Sequence, residues 1–464
     1  MSNYNSTDLR DTILALSTPQ GIGAIGVIRM SGTNAIHICN EVFKGKNLLK
    51  QKTHTVHFGT IRHENRIIDE VLVSIFKCPN SYTGENIIEI SCHGSPYILQ
   101  QIMEILIGYG ARLAKAGEFT MRAFLNGKMD LSQAEAVADL IASESEAAHK
   151  LAIQQMRGGF STEIHELRKE LIHFASLIEL ELDFSEEDVE FADREQLTKL
   201  IQRLQKLLRQ LIRSFSLGNA IKNGVTTVIA GRPNAGKSTL LNVILNEERA
   251  IVSNIAGTTR DTIEEVINIK GVQFRLIDTA GIRDAQDQIE AIGVQKTLDS
   301  IANASVLLYV FDVVNLSPED VESDLKKLSK KGLHIIVVAN KMDLNPYTKL
   351  ENYESEYLKN EQIVATSAAN NMNIEHLKNT LYDLALRQQL NMQSTIVSNA
   401  RHYEALQKSY AALDNVLNGM QMQLTGELLA FDIRESLQHL GEITGEVTTD
   451  DLLDNIFRNF CIGK

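Results

Sequence analysis

The residues with the clearest capacity for chemistry are Gly231-Arg-Pro-Asn234-Ala235-Gly236-Lys237-Ser238-Thr239. Two glycines, then a lysine and a hydroxyl residue, are the spacing of a loop that curls around a phosphate. Glycine at both positions lets successive N–H groups, and the N-terminus of the next helix, face one anion. Lys237 then reaches the β- and γ-phosphates, where it bears on catalysis, and the Ser238 hydroxyl ligates Mg²⁺. The context agrees, because the apolar run Val225 to Ala230 reads as a strand and a helical pattern opens at Leu240.

Three further stretches select the nucleotide. Phe274 to Asp278 reads as a buried strand ending in Asp278-Thr279-Ala280-Gly281, a carboxylate for the Mg²⁺ shell and a glycine whose N–H can sense a γ-phosphate. Asn340-Lys341-Met342-Asp343 follows the expected strand His334 to Ala339. Asp343 can accept hydrogen bonds from guanine N1–H and the exocyclic amine, a donor pair that adenine lacks. Thr366-Ser367-Ala368, after the expected strand Gln362 to Ala365, can supply a backbone N–H to the guanine O6. Their order at the carboxyl ends of parallel strands makes GTP the expected ligand. Many switch GTPases carry a water-orienting Gln directly after the Asp-Thr-Ala-Gly sequence, but here that residue is Ile282. Another polar group must serve, with candidates between Arg283 and Glu290, or the protein hydrolyses slowly alone. Upstream, Ser253 to Asp261 is rich in small and hydroxyl residues, and Thr259 is the natural second hydroxyl ligand to Mg²⁺.

The elements that must hold these groups can be read from the rest of the chain. Its 464 residues suit about three domains. A net charge of −13 argues against a surface that coats nucleic acid throughout. No apolar run is long enough to span a membrane, and residues 1 to 6 lack the regions of a signal peptide. Cys39, Cys78, Cys92 and Cys461 show neither disulfide nor zinc spacing, so a cytoplasmic location is expected. Residues 1–120 read as α+β, with strands at Gly23 to Arg29, Thr55 to Ile61, Ile67 to Phe76 and Ile87 to His93, Ser31 capping a helix, and a helical run from Pro96. Helical stripes follow at Ile164, Leu167, Leu171, Phe174 and Ile178, at Leu200, Leu204, Leu207, Leu211 and Phe215, and at Tyr403, Leu406, Tyr410, Leu413 and Val416. The expected architecture is therefore an α/β phosphate-loop GTPase domain, 223–384, inserted in an all-helical domain made of 121–222 and 385–464, with an α+β domain preceding both. The acidic run Glu179 to Glu190 and the basic face Arg203, Lys206, Arg209 and Arg213 read as solvated faces, with RNA or partner docking as the alternative.

These motifs also carry a resemblance. The phosphate loop, Ala256-Gly-Thr-Thr-Arg-Asp261, Asp278 to Gly281, Asn340 to Asp343 and the terminal Phe460-Cys461-Ile-Gly-Lys464 are together similar to the MnmE/TrmE family of bacterial tRNA modification GTPases. Thr18-Pro-Gln-Gly21, Ser91-Cys-His-Gly94, Gly117-Glu-Phe119 and Arg122-Ala-Phe-Leu-Asn126 extend the match over essentially the whole chain. The resemblance implies potassium-dependent GTP hydrolysis, with Asn234, Ser253, Ile255 (through its carbonyl) and Thr258 as potassium ligands and Glu290 positioning water. It implies a homodimer formed through the N-terminal domain, which also binds 5-formyl-tetrahydrofolate at Arg29, Glu89, Lys128 and Lys464. It further implies a chemical role for Cys461 and a complex with the FAD-containing partner MnmG, a heterotetramer. That complex modifies C5 of the tRNA wobble uridine with a (carboxymethyl)aminomethyl group. The competing expectation is an RNA-binding switch of the ribosome-assembly kind.

Overall fold

The computed structural model describes residues 11–463 apart from 65, 184–193, 249–263, 279–300, 302–303, 331–332, 356–357, 359–361, 387–394 and 459; at 181–183, 246–248, 264, 278 and 385–386 it describes the backbone alone. The chain forms two compact units. One comprises Met1–Ala142, Ala152–Lys206 and Ala405–Lys464, and the other Ser143–Leu151 and Leu207–Glu404.

In the first unit seven strands form one sheet: β1 (Thr12–Leu16), β2 (Ile25–Ser31), β3 (Phe43–Lys44), β4 (Thr55–His63), β5 (Arg66–Phe76), β6 (Ile87–His93) and β7 (Ala111–Leu113). Their order is β3-β4-β5-β6-β2-β1-β7, antiparallel except where β7 runs parallel to β1. Alternation decides which face is buried. Ile88, Ile90 and Cys92 of β6 point with Ile28 and Met30 of β2 into a core that the helices Ala35–Val42 and Pro96–Gly108 complete. Glu89, Ser91 and His93 project from the opposite face, as do the exposed Val56, Phe58 and Leu72 of β4 and β5.

Ser31 does not cap a helix. It ends β2, and its hydroxyl lies 2.7 Å from both Thr83 Oγ1 and Glu85 Oε2; Asn34 precedes the helix without a side-chain cap. Strand pairing carries the chain past the residue that local pattern marks. Farther along, Gly159–Asp183 packs on Gly426–Thr444, burying Ile164, Leu167, Leu171 and Ile178 as the periodicity predicts. In Arg194–Asn223 the stripe is rotated, with Leu207 36% exposed while Ile201 and Leu208 are buried. Gln205 Nε2 donates to Asp414 Oδ1 on the helix Ala400–Gln421 at 3.2 Å, which fixes that rotation. The basic face is partly neutralised, since Arg203 pairs with Glu170.

The second unit has six strands: β8 (Val225–Ala230), β9 (Glu264–Ile269), β10 (Val272–Asp278), β11 (Val306–Asp312), β12 (His334–Asn340) and β13 (Ile363–Ala365). They order as β13-β12-β11-β8-β10-β9, parallel except for the β9–β10 hairpin. Apolar clusters cover both faces of this sheet, so its central strands read as continuous hydrophobic runs. β11 is buried along its whole length. Among the described residues no helix is long and apolar enough to cross a membrane.

Candidate nucleotide-binding site

β8 ends where sequence expects, but the helix that follows starts at Lys237, three residues before Leu240. Lys237, Ser238 and Thr239 therefore form its first turn, whose N–H groups have no acceptor within the helix. The glycines are steric requirements. A Cβ on Gly231 would lie 2.0 Å from the Val310 carbonyl oxygen, and one on Gly236 2.3 Å from Asn340 Nδ2. Both have positive φ, +150° and +92°. Asn234 also takes a left-handed conformation, φ +60°, and is exposed. Lys237 is buried to 9% exposure, and its ammonium donates to the carbonyls of Gly231 and Arg232 at 2.8 and 3.0 Å. This arrangement holds the ammonium beneath the loop that the sequence assigns to phosphate.

The loops after β12 and β13 are tied to the phosphate loop by one side chain. Asn340, 2% exposed, donates from Nδ2 to the Ala235 carbonyl at 2.9 Å and accepts the Ala368 N–H at 3.0 Å. Asn340 thus braces the site, and the backbone N–H groups of Thr366, Ser367 and Ala368, one of which the sequence expects at guanine O6, are all engaged within the protein. Asp343 is exposed, with Oδ1 accepting the Ser367 hydroxyl at 2.6 Å. Ser367 thereby fixes the orientation of that carboxylate.

Two ion-paired groups, each joining a motif residue to carboxylates that no motif marks, complete the surroundings. Arg232 pairs with Asp324 (2.8 Å) and Asp320 (3.0 Å) on the helix Pro318–Leu328, and Tyr309 donates its hydroxyl to the same Asp324 at 2.6 Å. Asp312, at the end of β11, meets Lys341 Nζ at 2.7 Å. Burial disfavours its charge, but Lys341, the Val314 N–H and the Asn315 amide prevail and hold its carboxyl below the usual range. Ser253, Ile255, Thr258, Thr259, Thr279, Ala280, Gly281 and Glu290 lie outside the described residues, as does the side chain of Asp278.

In the first unit Arg29 and Glu89 face each other across β2 and β6 and pair at 2.7 Å. The Arg29 guanidinium also lies 5.7 Å from the Tyr82 ring centre and 5.9 Å from that of Phe119. Lys128 donates to the Pro79 carbonyl at 3.0 Å. Lys464 lies outside the described residues, but the segment before it is pinned. Gly117 N–H donates to the Cys461 carbonyl at 3.5 Å, Ser17 Oγ donates to the Gly463 carbonyl at 3.2 Å, and a Cβ on Gly463 would meet the Leu16 carbonyl at 2.5 Å. Cys461 itself is exposed.

The motif residues Glu118 and Arg122 are buried structural charges. Arg122, 2% exposed, binds Glu118 (2.9 Å), Asp11 (2.8 Å) and Glu85 (3.2 Å), and Arg112 forks onto Glu118 at 2.6 and 2.8 Å. Burial raises the Glu118 carboxyl, yet Arg112, the Lys115 N–H and Arg122 together hold it below its ordinary value. Only the pairing of distant segments shows this cluster.

Comparison with known proteins bears on the whole chain. Residues 12–128 match the family model for the GTP-binding protein TrmE N-terminus, and residues 131–461 the model for the MnmE helical domain. The tRNA modification GTPase MnmE of Cytophaga hutchinsonii is 56% identical over 464 residues, 100% of both chains. Its namesake from Flavobacterium psychrophilum is 54% identical over 98% of this chain and 99% of its own. The solved structure of an Aquifex aeolicus Era variant bound to GDP and AlF4⁻ aligns with 40% of this chain and 66% of its own at 28% identity and a TM-score of 0.28. A phosphate loop braced by Asn340, set in a chain related end to end to such relatives, belongs to the MnmE family of tRNA modification GTPases.

Proposed function

We propose that this GTPase hydrolyses GTP in a potassium-dependent manner and, with an FAD-containing MnmG-type partner, adds the (carboxymethyl)aminomethyl group to C5 of the wobble uridine, position 34, of certain tRNAs. The observation that carries the reading is 56% identity to a tRNA modification GTPase along the entire chain. Lys237 and the first-turn N–H groups bind the phosphates, Ser238, Thr259 and Asp278 hold Mg²⁺, and Asp343 reads guanine. The exposed, left-handed Asn234 fits a carbonyl donor to potassium beside those phosphates, completed by Ser253, Ile255 and Thr258. Potassium there supplies positive charge to the β- and γ-oxygens. Glu290 positions water, the part Ile282 cannot take.

On this reading the chain works in three parts, 1–120, 121–222 with 385–464, and 223–384, as a cytoplasmic homodimer. Val56, Phe58 and Leu72, exposed at 60, 65 and 47% on the open face of the N-terminal sheet, supply apolar surface for that pairing. 5-Formyl-tetrahydrofolate binds near Arg29, Glu89, Lys128 and Lys464, where the ligand meets the Arg29–Glu89 pair and not two free charges. Mass spectrometry of tRNA nucleosides from a strain lacking the gene tests the proposal. Loss of the wobble modification, restored by the intact gene, is expected, and an unchanged nucleoside profile overturns it.

A further inference from the structure

Three side-chain tethers hold the turn that carries Asp343, beside the backbone bond from the Met342 N–H to the Thr366 carbonyl at 3.1 Å, and sequence motifs account for only two of the three. Asn340 is held by Ala235 and Ala368, and Asp343 by Ser367. Between them Lys341 stands at φ +66°, a backbone conformation disfavoured for any residue with a β-carbon. Its ammonium is held by Asp312, which is 4% exposed and sits beside Asn340 in the β11–β12 pairing. Asp312 is itself fixed: Oδ1 accepts the Val314 N–H at 2.9 Å, Oδ2 accepts the Asn315 amide at 2.7 Å, and the Val313 N–H donates to the Asn340 carbonyl at 3.2 Å. A buried carboxylate with so many donors is a rigid post, and Lys341 is the link from that post to the turn.

We propose that Asp312 is a positioning residue for guanine recognition, whose carboxylate, through Lys341, holds the Asn340–Asp343 turn at the orientation in which Asp343 meets the base. Asp312 makes no contact with nucleotide in this role. Its effect is preorganisation, so its loss weakens binding while leaving the chemical step alone. The proposal rests on the assignment of Asp343 as the base reader.

The experiment uses the full chain with Asp312→Asn, Asp312→Glu, Lys341→Met, the double variant Asp312→Asn/Lys341→Met, and Asp343→Asn. GDP and xanthosine diphosphate affinities are measured by calorimetry, and GTP turnover at varied substrate. Asp312→Asn is expected to weaken GDP about tenfold and raise KM similarly, with kcat within about twofold, as suits the loss of one charge-assisted contact. Asp312→Glu should recover part of the loss, and the double variant should be no worse than the poorer single one. GDP affinity within twofold of wild type in Asp312→Asn, or losses that multiply in the double variant, overturns the proposal. If Asp312→Asn melts too early to assay, Lys341→Met alone leaves the Asp312 turn intact and carries the same tenfold expectation and the same refutation. Asp343→Asn separates the two readings. A retained guanine preference there refutes the base-reader assignment, whereas a switch to xanthine with Asp312→Asn silent refutes the positioning role alone.

Discussion

Replacing Arg122 with methionine keeps most of the aliphatic volume and removes the guanidinium at the centre of the N-terminal charge cluster. That guanidinium is 2% exposed and joins Glu118, Asp11 and Glu85 to one another. Stripping one partner from a buried ion pair costs about 3–5 kcal/mol, because the remaining charge stays desolvated. Glu118, 1% exposed at its side chain, keeps the Arg112 fork, and Asp11 is a third exposed, so the lower end of that range applies. About 3 kcal/mol is on the order of a hundredfold in a local opening constant. The assay is amide hydrogen exchange at neutral pH on peptides covering Glu118–Leu125 and Ile25–Ser31, which should exchange on the order of a hundred times faster in Arg122→Met. The pH dependence has a defined sign. The Glu118 carboxyl is depressed in the folded protein, so its contribution is present above the ordinary carboxylate value and is lost as pH falls through the depressed one. With less positive charge beside it, the variant should lose protection at a higher pH than the wild type. Exchange within threefold of wild type at neutral pH, or an acid transition that does not move, would refute the account of the cluster.

The other predictions concern the nucleotide and the tail. Gly231→Ala drives a Cβ to 2.0 Å from the backbone oxygen of Val310, so nucleotide affinity should fall at least about a hundredfold; calorimetric binding within threefold would show that the loop yields. Asn234→Ala should abolish the advantage of potassium over sodium in GTP turnover, a loss of about 2–4 kcal/mol at the transition state, while GDP still binds. Equal wild-type rates in the two chlorides would remove the basis of that expectation. Deleting 461–464 should leave potassium-stimulated turnover intact and eliminate the wobble modification in cells, read by nucleoside analysis of total tRNA; normal modification would return the tail to a packing role.

The phosphate loop was legible because its signature is local, with Gly231, Gly236, Lys237 and Ser238 close together in sequence. What demands the glycines is not local, since the missing Cβ atoms make room for the Val310 carbonyl and the Asn340 amide. The role of Asn340 was half legible. Its place at the end of β12 followed from pattern, but its contacts with Ala235 and Ala368 span 105 and 28 positions, and no window contains them. Asp312 was invisible for the same reason, as was the cluster in which Arg122 reaches 111 positions back to Asp11. Ser31 and Leu207 show periodicity failing by small amounts. A hydroxyl before a helix resembles a cap until the strand claims it, and Leu207 and Leu208 compete for a face that only the neighbouring helix decides.

The pinned tail has a consequence for synthesis. Phe457 and Phe460 complete a cluster with Met121, Leu131 and Ala134, and Gly463 rests against the end of β1. On the ribosome, residues 121–134 emerge long before these partners and wait with that apolar surface uncovered. The sheet of the second unit, closed by β13 at Ala365, can fold during this interval. A ribosome stalled between these points would therefore present a finished GTPase fold beside an open N-terminal cluster, the kind of surface a chaperone captures.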